Sequence, residues 1–209
     1  MPVSREEKLI MDAKSWNDRF AAEHYIFGES ANDFLAATAS QIPAGPVLCL
    51  AEGEGRNAVH LAALGHRVMA VDQSETALVK ARRLAAKRCV EIETVAADLA
   101  NYRITPKAWA GIVAIFVHLP PALRRKVHAE AALGLQPGGV FILEAYTPAQ
   151  LAFRTGGPKS TELLMTQASL REELAGLEFL GCRELERDVI EGCDHTGRSA
   201  VVQILARRP

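Results

Sequence analysis

Apolar residues along this chain come in short runs separated by amphipathic stretches. The runs are Val47–Leu50, Arg67–Val71, Ile92–Ala96, Ile112–Val117 and Val140–Leu143. Such short runs read as strands buried on both faces of a parallel sheet. Between them lie helical patterns. One spans about Arg56 to Leu64, with apolar Ala58, Val59, Leu61 and Ala62 on one face and Gly65 at the C-terminal cap position. The next runs from Glu75 to Lys87, is rich in good helix formers, and can be capped by Ser74. A third opens at Pro120-Pro121 and reaches Leu135, and Pro137-Gly138-Gly139 then turns the chain into the fifth strand. Strands alternating with helices predict an α/β fold, a Rossmann-like doubly wound, mostly parallel sheet with right-handed crossovers.

The flanks differ. Leu9, Met11, Trp16, Phe20 and Tyr25 have helical spacing, and the segment Tyr25–Asn32 breaks it. Asn32 or Ser30 can cap a second helix through Phe34, Leu35 and Ala39, which Pro43, Gly45 and Pro46 end. Residues 1–40 are therefore expected to form a helical cap. Past the fifth strand, 147–160 reads as a long loop, and a long loop in a compact domain is usually functional or disordered. A helix from Ser169 to Leu177, with Ser169 as its cap, follows. Two strand-like runs, Glu178–Asp188 and Ala200–Ala206, then flank a turn-rich segment from Glu191 to Gly197. With no helix between them they should pair as an antiparallel hairpin. Residues 1–209 are expected to be one domain.

Composition narrows the partners. The formal net charge of −1 argues against nucleic acid or an anionic membrane held by bulk electrostatics, and no apolar run has the length of a membrane span. The stretch Met1 to Lys14 lacks the apolar core of a secretory signal. Cys49, Cys89, Cys182 and Cys193 show no CxxC spacing, which suits free thiols in a reducing cytoplasm. Cys193-Asp194-His195 has ligand-type side chains without clustered partners, so no metal is expected.

The chemistry gathers at the strand ends. The first strand runs into Gly53-x-Gly55-x-x-Ala58, a glycine turn before a helix, which also fits the dinucleotide fingerprint. Asp72 closes the second strand, where a carboxylate can accept hydrogen bonds from both hydroxyls of a ribose; it can equally cap the next helix. Asp98 follows the third strand, where it can accept from an adenine amine while the Leu99 N–H donates to a ring nitrogen; it can also simply start a turn. His118 ends the fourth strand, as a base, a substrate contact or a helix-start residue.

The ordered set Val47–Gly55, Val71-Asp72, Ala97-Asp98-Leu99 and Leu135–Gly139 resembles that of class I S-adenosylmethionine-dependent methyltransferases, over about residues 40–206. Trp16–Phe20, Tyr25–Gly28, Gly53–Ala58, Phe116–Pro120 and Glu144–Pro148 are similar to the tellurite-resistance and thiopurine methyltransferase-like group. The resemblance implies a seven-stranded sheet ending in the antiparallel hairpin. It implies a cytoplasmic enzyme that moves a methyl group from S-adenosylmethionine, leaving S-adenosylhomocysteine, to a small molecule such as a thiol, tellurite or selenite. The implied cofactor residues are Glu52, Gly53, Gly55, Asn57, Asp72, Gln73, Ser74, Asp98, Leu99 and Phe116. Tyr25, Phe27, Phe153 and Arg154 are the implied substrate contacts, with Gly156-Gly157-Pro158 in the same wall, and His118 is the candidate catalytic residue. A thiolate, selenide or oxyanion acceptor needs no general base, because the sulfonium already activates the methyl group.

Two departures stand out. The usual acidic residue in the first strand is Cys49 here, and the usual first glycine is Ala51. Glu52, where a small residue is common, is a candidate to take over the acidic role near the methionine amine. Two other readings stay open, an NAD(P)-binding oxidoreductase domain and a non-catalytic S-adenosylmethionine-binding module. Oligomeric state is left open.

Overall fold

β1 (Pro46–Leu50) lies at the centre of the sheet, parallel to β2 (Arg67–Asp72) on one side and to β4 (Trp109–Ile115) on the other. β3 (Glu93–Ala96) extends the sheet beyond β2, and β5 (Leu135–Tyr146) extends it beyond β4, both parallel. β7 (His195–Arg207) then runs antiparallel to β5, and β6 (Glu178–Glu191) pairs antiparallel with β7 at the edge. The order is β3-β2-β1-β4-β5-β7-β6, the expected seven strands with the expected hairpin. The computed structural model describes residues 12–193 and 195–209. Leu9 and Met11 of the expected first helix, and Asp194 of the Cys193-Asp194-His195 stretch, lie outside them.

Alternation within β1 divides the core. Leu48 and Leu50 face a layer containing Ile112, Phe141, Val127 and Leu170, the last two on α5 (Pro121–Gly134) and α6 (Gln167–Glu173). Val47 and Cys49 face Leu35, Leu61 and Leu78 on α2 (Asp33–Thr38), α3 (Arg56–Ala63) and α4 (Glu75–Lys87). Successive side chains on a strand point to opposite faces, so each strand serves both helical layers. No helix among the described residues is long and apolar enough to cross a membrane.

Several boundaries differ from the sequence reading. α1 covers only Ala13–Phe20, capped by Asp12, whose side chain accepts from Ser15 N at 2.8 Å. α6 starts at Gln167, because Thr166 caps it and Ser169 reaches back to the Thr166 backbone as the other half of a capping box. β5 begins directly after α5. The Pro137-Gly138-Gly139 turn lies inside it as an irregularity, where the register passes from Trp109↔Leu135 to Gly111↔Val140. The hairpin strands run well past their apolar portions. Their outer ends are half-exposed and polar, so hydrophobic alternation does not report them. The 147–160 stretch contains a 3-10 turn over Pro148–Ala152. Its buried Gln150 accepts from Ala200 N at 2.8 Å and ties the segment to β7.

Candidate functional site

β1 and β4 are neighbours in the sheet, but their crossovers leave to opposite sides. That arrangement opens a crevice beyond the strand C-termini. Here it measures about 740 Å³. Its floor is the turn after β1. Ala51 takes a left-handed backbone with φ of 45°, and Gly53 and Gly55 follow at 64° and 90°. The two glycines do different things. A side chain on Gly53 would approach Phe20 of α1 at the crevice wall, at 3.5 Å. One on Gly55 would lie 2.6 Å from the Ala81 Cβ of α4. Gly55 therefore permits helix packing and is absent from the crevice lining, whereas Gly53 is in it.

The turn carries its own carboxylate. One oxygen of Glu52 accepts from Asn57 N at 2.9 Å and from Ala58 N at 2.7 Å, which caps the start of α3. Burial raises this carboxyl to about 7, against the lowering effects of those two N–H groups and the Arg56 charge. The Cys49 thiol hydrogen-bonds to Glu52 and is pushed well up by burial. The Glu52 carboxyl thus lies against the Cys49 side chain of β1.

Asp72 ends β2 and faces the turn. Its two oxygens accept from Gly53 N and Ser74 N, each at 2.8 Å, and burial raises its carboxyl above the usual range. The Gln73 N–H is a third backbone donor, which leaves about one of the four lone-pair sites for a further donor. Asp98 accepts from Ala100 N at 2.8 Å, so it starts a turn and also lines the crevice, beside Leu99 and Ala97. Gln73 and Asn57 line it too, and the Asn57 side chain accepts from Asn32 N at 3.0 Å. Ser74 does not. Its hydroxyl caps α4 at Ala77 N and donates to the Asn17 side chain at 2.7 Å.

The opposite wall is aromatic. Phe116, just past β4, is held at a left-handed φ of 55° and faces the crevice with Trp16, Phe20 and Phe27. A residue with a side chain in that conformation costs on the order of 1–2 kcal/mol, and such strain clusters at functional sites. Of the residues implied as substrate contacts, Phe27 lines the crevice and Tyr25, Phe153 and Arg154 do not. Tyr25 turns the other way and donates to Lys80 O at 3.1 Å. The loop contributes Gly156 to Ser160 instead. Arg124, a basic side chain of α5, is buried against Glu173 and donates to both of its oxygens.

His118 lines the crevice, but its nitrogens face backbone. Nδ1 lies 2.8 Å from Leu163 O, and Nε2 is 3.4 Å from Tyr146 N. The ring therefore donates through Nδ1, with Nε2 as the acceptor side. Burial lowers its pKa to about 4, so it is neutral near pH 7. In this geometry it has no lone pair directed at a substrate and packs the Leu163 turn against β5.

The walls also include side chains that the sequence reading did not assign to the site, among them Arg19, Lys159 and His195, the last weighed there only as a metal ligand. Arg19 stacks over Trp16 and Phe27. Its place one turn from Trp16, on the crevice side of α1, was the available signal. His195 reaches the crevice from the hairpin, whose fold-back over the sheet end is a tertiary event. Among the described residues no three His, Cys, Asp or Glu side chains converge as a metal site.

The N-terminal cap is fastened to the turn. Lys80 of α4 donates to Ala22 O at 2.8 Å and His24 O at 2.6 Å and pairs with Glu54, which in turn accepts from Phe27 N at 3.2 Å. A second buried network joins the cap to the hairpin. The Asn32 amide donates to Glu144 at 3.0 Å and Glu191 at 2.7 Å, Arg56 pairs with Glu191, and Arg187 donates to Glu144 at 2.6 Å.

Residues 47–139 match the model of a methyltransferase domain family, a segment that holds β1 from Val47 on, the turn, Asp72, Asp98 and Phe116. No curated protein matches the chain. Among solved structures, one from work on the conversion of a disulfide bond into a thioacetal group during echinomycin biosynthesis superposes with a TM-score of 0.74 at 19% identity, over 94% of this chain and 89% of that one. TehB from Haemophilus influenzae gives 0.70 at 19% identity, over 94% of this chain and 67% of that one. The N-methyltransferase NodS from Bradyrhizobium japonicum WM9 gives 0.64 at 15% identity, over 84% and 92%. At these identities the likeness establishes the fold. The segment that matches the methyltransferase domain carries the floor of the crevice and the Glu52, Asp72 and Asp98 carboxylates that line it.

Proposed function

We propose that this enzyme methylates a small, soft nucleophile, a thiol or an oxyanion such as tellurite or selenite. In this reading the crevice takes S-adenosylmethionine with its ribose at Asp72, its adenine beside Asp98 and Leu99, and its methionine end at Glu52 and Gly53. Asn57, Gln73 and Phe116 complete the surround.

The observation that carries the reading is the Glu52 carboxylate at the start of α3. A dinucleotide cofactor would set its pyrophosphate there, on free backbone N–H groups. Here two of those donors already go to Glu52, and a carboxylate occupies the position. That arrangement disfavours a phosphate and suits a cofactor with a cationic ammonium and sulfonium. An NAD(P)-linked oxidoreductase is disfavoured on the same ground.

The acceptor class follows from how charge is divided. Glu52, Asp72 and Asp98 line the cofactor side. Arg19, Lys159 and the aromatic rings line the other, where the Glu54 carboxylate is paired with Lys80 and accepts from Phe27 N. Cations over an aromatic wall favour a polarisable anion. The bound cofactor supplies an activated methyl group. The chain aligns the acceptor, keeps out water with Trp16, Phe20 and Phe27, and stabilises an anionic attacker with Arg19 and Lys159.

Calorimetry with S-adenosylhomocysteine and NAD, followed by turnover of thiol, selenite, tellurite and amine acceptors, tests this. Binding of the adenosyl compound with methylation of a thiol or oxyanion is expected. Methylation confined to amines would refute the acceptor class, and tight NAD binding without any adenosyl response would refute the cofactor placement.

A further inference from the structure

His195 is the first residue of β7, at the tip of the hairpin and far in sequence from the methyltransferase-type segment. Its ring lies 4.6 Å from the Phe27 ring, 4.8 Å from Phe116 and 5.5 Å from Tyr146, centroid to centroid. Those three come from the cap, the end of β4 and the end of β5. The imidazole is therefore set where three elements meet, and it forms part of the crevice wall. In the proposed placement Phe116 completes the cofactor's surround, so His195, packed against Phe116, lies beside the region where the methyl group is to be passed on.

The tip that carries it is held on several sides. Cys193 N donates to Ile26 O at 2.9 Å. Gly192 approaches the same carbonyl so closely that a Cβ there would lie 2.0 Å from it. Thr196 Oγ1 donates to Gly192 O at 2.6 Å, and Glu191 is paired with Arg56 of α3. A hairpin end is ordinarily mobile; this one is fastened both to the cap and to the helix that starts at the glycine turn. Pre-organisation of that kind is what a side chain acting on a substrate requires. His118, the other crevice histidine, has both nitrogens turned to backbone.

We infer that His195 is the residue that meets the acceptor and takes its proton. This rests on the methyl-transfer reading above and adds the base. As the acceptor sulfur of R–SH attacks the methyl carbon, its S–H bond breaks and the proton passes to the neutral imidazole. The new C–S bond uses the sulfur's electron pair. The methyl–sulfonium bond breaks with its electrons going to the cofactor sulfur, leaving neutral S-adenosylhomocysteine. The imidazolium then releases the proton to water, so the cycle yields R–S–CH₃ and one proton. An imidazole is neutral over much of the range near pH 7 and is suited to this step.

The test compares two thiols, phenylmethanethiol and the more acidic benzenethiol. A general base contributes about 10²–10⁴-fold, more for the weaker acid. His195→Gln is expected to lower kcat/KM for phenylmethanethiol by about 100-fold and for benzenethiol by under about 10-fold, with calorimetric affinity for S-adenosylhomocysteine unchanged. His195→Phe keeps the ring packing against Phe27, Phe116 and Tyr146 without a nitrogen, and it should fold and show the same unequal loss. In the S-adenosylhomocysteine complex with ¹⁵N-labelled histidines, benzenethiol should shift the His195 signals and raise their titration midpoint. Equal losses for the two thiols, an unmoved His195 signal, or native protein that binds S-adenosylmethionine yet methylates neither thiol would overturn the assignment. Failure to bind either adenosyl compound would instead refute the cofactor reading.

Discussion

Replacing Glu52 with glutamine removes one charge and almost no volume. The amide oxygen can still accept from Asn57 N and Ala58 N, so the cap on α3 survives. What changes is the cost of holding a carboxylate in the turn. The Glu52 carboxyl rises from 4.5 to about 7 in the native protein. Between those values the folded chain keeps a proton that the unfolded chain has released. Native stability therefore falls as pH rises through that window, by up to about 3 kcal/mol at 1.36 kcal/mol per pH unit. His118 works in the opposite sense. Its pKa falls from 6.5 to about 4, so its contribution is lost as pH drops through that range. The two slopes overlap and largely cancel in the native protein, and only a difference measurement separates them. Denaturant unfolding of native protein and Glu52→Gln from pH 4.5 to 8 should give stability curves that diverge with pH, the variant becoming the more stable by up to about 3 kcal/mol. Binding supplies a second readout. An ammonium placed at Glu52 would drive off its proton, so at pH 6.5 S-adenosylhomocysteine should release about three-quarters of a proton from native protein and none from the variant. Affinity should fall by about 10- to 100-fold, the loss of one charged hydrogen-bonding partner. Calorimetry in buffers of different ionisation enthalpy reads both quantities. Stability curves that stay parallel across the range, with unchanged affinity, would refute the reasoning.

Three further outcomes are expected. Asp72→Asn turns an amide N–H₂ toward a backbone donor and should cost about 1–3 kcal/mol of stability and about 10- to 100-fold in adenosyl affinity, read by unfolding and calorimetry. Glu191→Gln leaves Arg56 buried without its counter-charge and should cost about 3–5 kcal/mol, seen as a large fall in Tm. Lys80→Met releases Ala22 O, His24 O and Glu54 together; trypsin should then cut at Arg19 markedly faster, while the sheet retains its hydrogen-exchange protection.

The parallel half of the fold was legible because its strands are buried on both faces and their Val/Ile/Leu runs have sharp ends. Ser74 as the cap of α4 was read correctly, and the helix bounds Glu75–Lys87 match. The hairpin was found but drawn short, since its outer strands are half-exposed and polar. Glu52 was legible as a departure, but its capping bonds were not, because they depend on how sharply the turn closes. Ser74 and Gly55 illustrate the reverse. Both lie in the right stretch, yet one faces Asn17 and the other Ala81. Phe153 and Arg154 lie in a loop, and loop direction is set by tertiary anchors such as Gln150 on β7. His195 could not be placed, because its site exists only where hairpin, cap and β4 come together.

The Asn32 network has a consequence for synthesis on the ribosome. Asn32 and Arg56 are made early, and Glu191, their shared partner, is 159 and 135 residues further along. Until that part of the chain emerges, Arg56 lacks its ion pair with Glu191 and the cap has no hairpin tip to rest on. The inner strands can pair and the glycine turn can form, but the crevice stays unroofed. A nascent chain is therefore expected to gain its sheet before its aromatic wall, and methyl transfer should begin only once β6 and β7 have closed over the cap.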